Sequence, residues 1–456
     1  MAVIGEPSTP FLAGPRLPLA AQLIRSATVE GLVGFDAQGR VIPALADRWI
    51  VTDDGQSYIF RLRDGTWPDG SNITGESARG ALLQAIATLR GTALGADLAG
   101  IQETRAMAGR VLEIRLNGPV PDLLQLLAQP ELGLARNARG AGPMKLSRDG
   151  KTAVLKPIPP EDRGMTSEED WGQRSRLLHL RALSAAKAIE RFDNGESDIV
   201  LGGRLEDFPR LDIAGLSRGA IRLDPVTGLF GLAVLHADGF LVSPANREAV
   251  AMAIDRDALI AAFSVGGWTA TTRIVSPGAE GDPGLVGERW SDMSLAQRRS
   301  VASSRVSSWR GSVLLRIAMP EGPGGDVLFG RLRDDLQSIG IESRRVSESA
   351  TADLRLVDLV ARYPRASWFL NQLSCANARS LCNSAADTRA AQAIAQSSAS
   401  ARAALQAEAE AQLMAANTFI PFGTPIRWSL VSGDVTGFAP NIWGTHPLMP
   451  LAMRPK

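Results

Sequence analysis

Histidine, cysteine and tyrosine are nearly absent from this 456-residue chain, which holds three His, two Cys and two Tyr. His179, His236 and His446 are isolated from one another, so no metal-ligand spacing is present. A zinc or nickel centre built from protein histidines is therefore not expected. A hydrolase needs a nucleophile beside a base, and three scattered histidines argue against one. No GxSxG, Walker loop or GxGxxG stands between a strand and a helix. The glycine-rich "EGPGG" (Glu321 to Gly325) lacks the Lys-Ser/Thr of a phosphate loop and reads as a turn. Excess charge of one sign is missing too: 49 Lys plus Arg face 48 Asp plus Glu. That balance argues against a nucleic-acid footprint or an anionic-membrane patch. No apolar run approaches the roughly 18 to 20 residues that span a bilayer. The opening "MAVIGEPSTPF" shows no basic segment followed by an apolar one, so no signal peptide is recognisable. Ala2 to Gly5 already reads as a strand, as in a mature form or a start placed too far downstream.

What remains is globular: apolar residues make up 45% and charged residues 21%. The length predicts two or three lobes and a core large enough to need no staples. Both cysteines, Cys375 and Cys382, fall in one short polar loop, "CANARSLC". A bridge there closes a small loop, worth about 2 kcal/mol in the chain-entropy model, and implies an oxidising compartment. Two buried free thiols are the alternative.

"SYIFRLR" alternates as a half-buried strand does, between the turns "DDGQ", "RDG" and "PDG". "TGESARGALLQAIATL" predicts a helix with Thr74 as its N-cap. "NREAVAMAIDRDALIAAFS" (Asn246 to Ser264) predicts one helical run. "SVLLRIAMP" followed by "GDVLFGRLRDDLQSIGIESRRV" predicts a βαβ unit. "TRAAQAIAQSSASARAALQAEAEAQLMAAN" reads as two helices broken around Ser397 to Ser400, and "FIPFGTPIRWSLVS" as a last strand pair. No linker separates independent domains, so the chain is expected to cross between lobes more than once.

Several segments, in order, resemble one family, the peptide/nickel class of extracellular solute-binding proteins. These are the periplasmic receptors of ABC transporters (bacterial solute-binding protein family 5). "EGLVGFDAQGRVIPALADRW", "DGQSYIFRLRDGTWPDGSNITGES", "GAGPMKL", "AAKAIERFDNGESDIV", "NREAVAMAIDRDALI", "LQSIGIE", "AEAQLMAANTFIPF" and "DVTGFAPN" carry the likeness over almost the whole chain. The resemblance implies an α/β, two-lobed periplasmic-binding-protein fold (class II-like, with an extra β-rich subdomain) and a cleft between the lobes. The first lobe would take residues 1–45, 136–224 and 429–456, the inserted β-rich subdomain 46–135, and the second lobe 225–428. Arg247 and Asp255, eight positions apart, are expected to share one helix face and, with Arg256, to form ion pairs inside the second lobe.

In peptide-binding members, the segment that resembles "ARYPRASWFL" keeps an acid for the ligand's N-terminal ammonium, since a desolvated cation needs a fixed anion. Here bases stand there instead. Arg362, with Arg365 as the second candidate, is the expected partner of an anionic ligand group. Pairing of these arginines with Asp353 or Asp358 is the alternative. Trp368 and Phe369 follow on a segment read as extended, one toward the core and one toward the cleft. Trp268, Phe230, Trp428 and Trp443 are the further candidates to line the site, with core packing as the alternative for each. Few tyrosines favour an apolar or aromatic ligand with one anionic end.

The implied function is capture of a small peptide-like or anionic, apolar solute and its delivery to an ABC transporter permease, without cofactor, metal or enzymatic activity. The protein is expected to be a periplasmic monomer, or a membrane-anchored lipoprotein in its full form, that binds no nucleic acid. The alternative is a sensory or scaffold protein on the same fold, with an occluded or partner-binding cleft.

Overall fold

In the computed structural model, the described residues are 1–211, 219–284, 286–377, 379–396 and 398–454. Residues 212–218 of the expected first lobe, and Ser397 at the expected helix break, lie outside them. The chain forms two compact units. One holds Met1–Gly203, Leu211–Pro225 and Arg427–Lys456, and the other holds Arg204–Arg210 and Val226–Ile426.

The first unit is built on a seven-stranded sheet. Its order is Met144–Asp149, Thr152–Pro157, Leu178–Leu183, Ala2–Ile4, Ile199–Gly203, Trp428–Val431, Ile221–Leu223. Ala2–Ile4 runs parallel to both of its neighbours. The helix Ala185–Asp193 supplies the crossover that a parallel arrangement requires. On one face the helix Leu19–Thr28 buries Ala20, Leu23, Ile24 and Ala27 against Met144, Leu155, Leu180 and Leu201. The spacing i, i+3, i+4, i+7 puts those four on one stripe. The "GAGPMKL" turn fits there because it carries glycine. A Cβ on Gly142 would lie 2.3 Å from the Thr28 carbonyl carbon.

The β-rich segment of the same unit is a four-stranded antiparallel sheet in the order Ala46–Val51, Ser57–Leu62, Val111–Leu116, Ile101–Ala106. Tyr58, Phe60 and Leu62 are buried, the alternation read from the sequence. Thr74 caps the helix Gly75–Thr88 by accepting from the Ser77 amide, and Ser77 returns the bond in a capping box.

The second unit holds a five-stranded sheet in the order Ile341–Val346, Val313–Ala318, Leu354–Val360, Gly228–Val234, Phe419–Gly423. Val313–Ala318, the helix Pro323–Gln337 and Ile341–Val346 form the expected βαβ unit with parallel neighbouring strands. Every residue of Gly228–Val234 is buried, as in a strand covered on both faces. The helices Ser384–Ile394 and Ala399–Ala416 pack together near the C-terminal end of this unit.

Three local expectations need correction. The run 246–264 is two helices, Pro244–Ala253 and Arg256–Ala261, because the Asp255 side chain accepts from the Ala258 amide and starts a new helix. Arg247 and Asp255 therefore share no helix face. Arg247 donates instead to the carbonyls of Ala416, Leu241 and Val242. Likewise, Phe419–Gly423 and Trp428–Val431 are not a strand pair. The first is an edge of the five-stranded sheet and the second lies inside the seven-stranded one. Among the described residues, no helix is long and apolar enough to cross a membrane.

Candidate ligand site

Arg362 is half-buried in the turn that leaves the strand Leu354–Val360. The backbone of that turn is fixed by a hydrogen bond from the Ala361 amide to the Thr227 carbonyl, 2.8 Å long. Arg365 follows as the N-cap of the helix Ala366–Gln372. Its guanidinium pairs with Glu280 at 2.7 Å, a carboxylate 60% exposed. Two backbone hydrogen bonds, Glu280 to Pro364 and Ala366 to Glu280, bind the same two segments together. Asp353, a candidate partner from the sequence, is taken by a bidentate bond from Arg316 and by His236.

Trp368 and Phe369 lie on that helix and not on an extended segment, so they do not point to opposite sides. Both are buried, with ring centroids 5.1 Å apart and planes at 90°. The turn at Pro364 ends the extended backbone before them, and burial of both rings in the core of this unit holds the segment as a helix. Directly after the helix, Cys375 and Cys382 form a disulfide with Cα atoms 4.8 Å apart. The Cys375 amide donates to Asp387 on the helix Ser384–Ile394, and the Leu381 amide to Val234. The bridged loop thus ties the segment of Arg362 to the strand Gly228–Val234 of its own unit.

Trp268 lies in the loop after the helix Arg256–Ala261. Its indole N–H donates to the Thr424 carbonyl at 2.9 Å, and its ring meets Phe230 at 5.7 Å and Phe263 at 5.8 Å. Phe230 in turn meets Phe422 edge-on at 5.9 Å and is almost wholly buried. Trp268 keeps 8% of its surface, which borders an open depression of about 450 Å³ with Ile260, Val265, Thr269 and Asp257. Ser264 on its wall holds a φ of 53°, a left-handed conformation that sharpens the turn out of the helix. Of the six side chains expected to touch ligand, Trp268 is the one that lines this depression.

Trp428 and Trp443 belong to the first unit. Trp428 is buried against glycine: a Cβ on Gly203 would fall 2.0 Å from its ring. Trp443 is half-buried, donates its indole N–H to the Gly39 carbonyl at 2.7 Å and packs on Phe35. It fastens the C-terminal tail to the hairpin Val33–Phe35 and Val41–Pro43. Beside Trp443 in sequence, the Asn441 amide donates to Asp224, and the His446 ring nitrogen meets the same carboxylate at 3.1 Å.

A family model of bacterial extracellular solute-binding proteins, family 5 (middle), matches residues 40–299, more than half of the chain. The chain belongs to this family. It is 34% identical over 135 residues to the probable deoxycholate-binding periplasmic protein of Escherichia coli K12, a stretch covering 25% of this chain and 24% of that protein. It is 24% identical over 154 residues to an E. coli glutathione-binding protein, covering 34% and 28%. The matches thus span about a quarter of these curated relatives' length. Solved structures align far more widely. Haemophilus influenzae OppA, in complex with RPPGFSPFR, superposes with a TM-score of 0.83 at 17% identity over 99% of this chain and 98% of that one. The E. coli murein tripeptide binding protein gives 0.82 at 19% identity over 99% and 97%. That likeness establishes the fold, which is the two-domain, mixed α/β fold of periplasmic binding proteins.

The family member carries charge clusters that motif reading did not resolve. Glu30, from "EGL", is buried between Arg63, at 3.0 Å, and Arg163. Arg273 holds Asp282 at 2.7 Å and Glu410 at 2.6 Å. Arg256, from "AIDR", donates to the Pro421 carbonyl at 2.7 Å and lies 5.5 Å over the Trp290 ring. Burial pushes the Arg256 guanidinium down to about 10. Burial also pushes the Glu288 carboxyl up to about 7, against the attraction of Arg256. The motifs contained Glu30 and Arg63 of the first cluster, Glu410 of the second and Arg256 of the third, and the pairings join positions too far apart along the chain for spacing to find them.

Proposed function

We propose that this family 5 protein is a monomeric periplasmic receptor for a small amphiphile, an apolar body with one anionic end, which it delivers to an ABC transporter permease. The observation that carries the reading is the charge reversal in "ARYPRASWF". A base, Arg362, stands where the resemblance calls for an ammonium-binding acid, and a half-buried guanidinium forms its strongest contacts with carboxylate or phosphate. Arg362 is the first ligand candidate of the pair because it stands directly before Tyr363 and Pro364, where the resemblance places the acid, while Arg365 pairs with Glu280. Trp268, with its exposed edge on the depression, is the apolar counterpart. Phe230 and Trp368 serve as buried framework within the unit of Trp268, Trp428 as buried core of the other unit, and Trp443 as the clasp of the C-terminal tail. The relative named for deoxycholate supports this ligand class, because deoxycholate carries one carboxylate on a rigid apolar body.

Isothermal titration with deoxycholate below its micellar concentration, and in parallel with a tripeptide, tests the reading. Deoxycholate is expected to bind. Arg362→Ala is expected to weaken it roughly ten- to a hundred-fold, the loss of a charge-assisted hydrogen bond of about 1.5–3 kcal/mol. Binding of the tripeptide alone, or unchanged affinity in Arg362→Ala, would overturn it.

A further inference from the structure

Five of the 49 basic residues are lysine, and three of those five, Lys145, Lys151 and Lys156, fall on one hairpin. Lys145 and Lys156 are directly opposite each other across its two strands. Two like charges at a cross-strand position repel, so this pairing works against the hairpin that carries it. Neither has a counter-ion: among the described residues, the salt bridges are made by arginine and histidine. Both side chains are exposed.

The surroundings form a surface. Met144, Ala153 and Leu155 belong to the face that packs under the helix Leu19–Thr28, so Lys145, Ser147, Val154 and Lys156 project on the opposite face. The next strand adds His179 beside Val154, and Arg181, which donates to Thr152. Leu177, on the same side as His179, is 52% exposed. The helix Ala185–Asp193 covers that side of the sheet over Ala2–Ile4 and Ile199–Gly203, while Lys145, Lys156, Leu177, His179 and Arg181 stay open to solvent. Asp149, at the far end of the edge strand, is the acid on this face of the hairpin.

We propose that this exposed sheet face is a docking surface for an acidic polypeptide, with Lys145 and Lys156 as its electrostatic anchors and Leu177 and Val154 as its apolar contact. Charge complementarity selects the partner. An acid placed over the two lysines turns their mutual repulsion into attraction to the partner, and a pleated face with apolar residues between the charges suits a folded or extended chain. The near-zero net charge of the whole protein conceals this patch because acids elsewhere in the chain balance it in the total.

The probe is a fluorescein-labelled oligoglutamate, titrated with the full chain at low ionic strength and followed by anisotropy. Phosphatidylglycerol vesicles are run in parallel. The wild type is expected to bind oligoglutamate, and salt to weaken the binding. Lys145→Glu with Lys156→Glu should weaken it about tenfold or more, whereas the same charge reversal at Arg48, on the separate four-stranded sheet, should leave it unchanged. Loss through misfolding is separated by the single variant Lys156→Glu. It sets an acid opposite Lys145, so its melting temperature should hold or rise while binding falls. Absence of oligoglutamate binding, equal affinity in the double variant, or binding to vesicles in place of oligoglutamate would each overturn the proposal.

Discussion

Glu288 makes the stability of the second unit depend on pH, in a direction opposite to that of an ordinary paired carboxylate. The side chain is largely buried, and burial is the main force on it, pushing its carboxyl from 4.5 up to about 7. Arg256 opposes that rise, while Glu248 and Glu410 add to it and Arg289 subtracts from it. The folded chain therefore holds this proton more tightly than the unfolded chain does. Below 4.5 both states are protonated and full stability is present. As pH rises, the unfolded chain ionises first, and stability falls until the folded carboxyl has also ionised, above about 7. Each tenfold difference in proton affinity between the two states is worth about 1.4 kcal/mol, so the full loss is roughly 3 kcal/mol, and residual solvent access brings it lower. Glu288→Gln carries no titrating proton at this place. Urea unfolding of wild type and Glu288→Gln at about pH 5 and about pH 8 isolates the contribution as a difference of differences. The wild type should lose roughly 2–3 kcal/mol more than the variant between those conditions. Equal pH dependence in the two proteins would refute the reasoning.

Three other perturbations have defined outcomes. Unreduced, unfolded protein should release no free thiol in a thiol titration, and Cys375→Ser with Cys382→Ser should lower unfolding stability by about 2 kcal/mol, the loop being short. Glu30→Gln leaves Arg63 and Arg163 buried without their anion and should cost about 3–5 kcal/mol in urea unfolding, well beyond an exposed-pair control such as Glu76→Gln. Trp268→Ala removes the aromatic border of the depression and the bond to Thr424. In deoxycholate titrations it should weaken affinity by roughly tenfold or more, with Trp443→Ala as a comparison outside that depression.

Local chemistry was readable in the sequence, and long-range partnership was not. Thr74 announces its helix because capping acts over three residues, and Tyr58, Phe60 and Leu62 announce their strand because the pleat repeats every two. Cys375 and Cys382 were readable as a bridge because the loop between them is short. The helix break at Asp255 was missed because the apolar pattern continues across it. A single carboxylate, accepting from the Ala258 amide, overrides that pattern. Trp368 and Phe369 were misread because two adjacent rings suit either a strand or a helix, and what decides between them is the core they enter. Phe419–Gly423 and Trp428–Val431 look like a hairpin in sequence. They belong to different sheets because the chain passes from one unit to the other between Ile426 and Arg427, which no turn signal records.

The use made of arginine explains why the charge balance said so little about the site. Arg247 and Arg256 carry their guanidiniums into the second unit and spend their donors on backbone carbonyls, and Arg63 does the same in the first. Arginine suits this work because its planar fork satisfies several acceptors at once and stays charged when buried. Lysine, a strongly hydrated point charge, is poor at it, and the lysines of the hairpin remain outside. The two basic residue types therefore report different things in this chain. A buried arginine is first of all a tie between segments, so a functional role for Arg362 has to be shown by a ligand-dependent change in affinity and not by lost stability. Arg365→Ala provides the contrast. Its pair with Glu280 joins two segments of one unit, so the substitution should lower the unfolding stability slightly, by about 0.5–1 kcal/mol for a partly exposed pair, and leave deoxycholate affinity in place. Should Arg365→Ala abolish binding while Arg362→Ala preserves it, the anion partner is Arg365, and the assignment within "ARYPRASWF" is reversed.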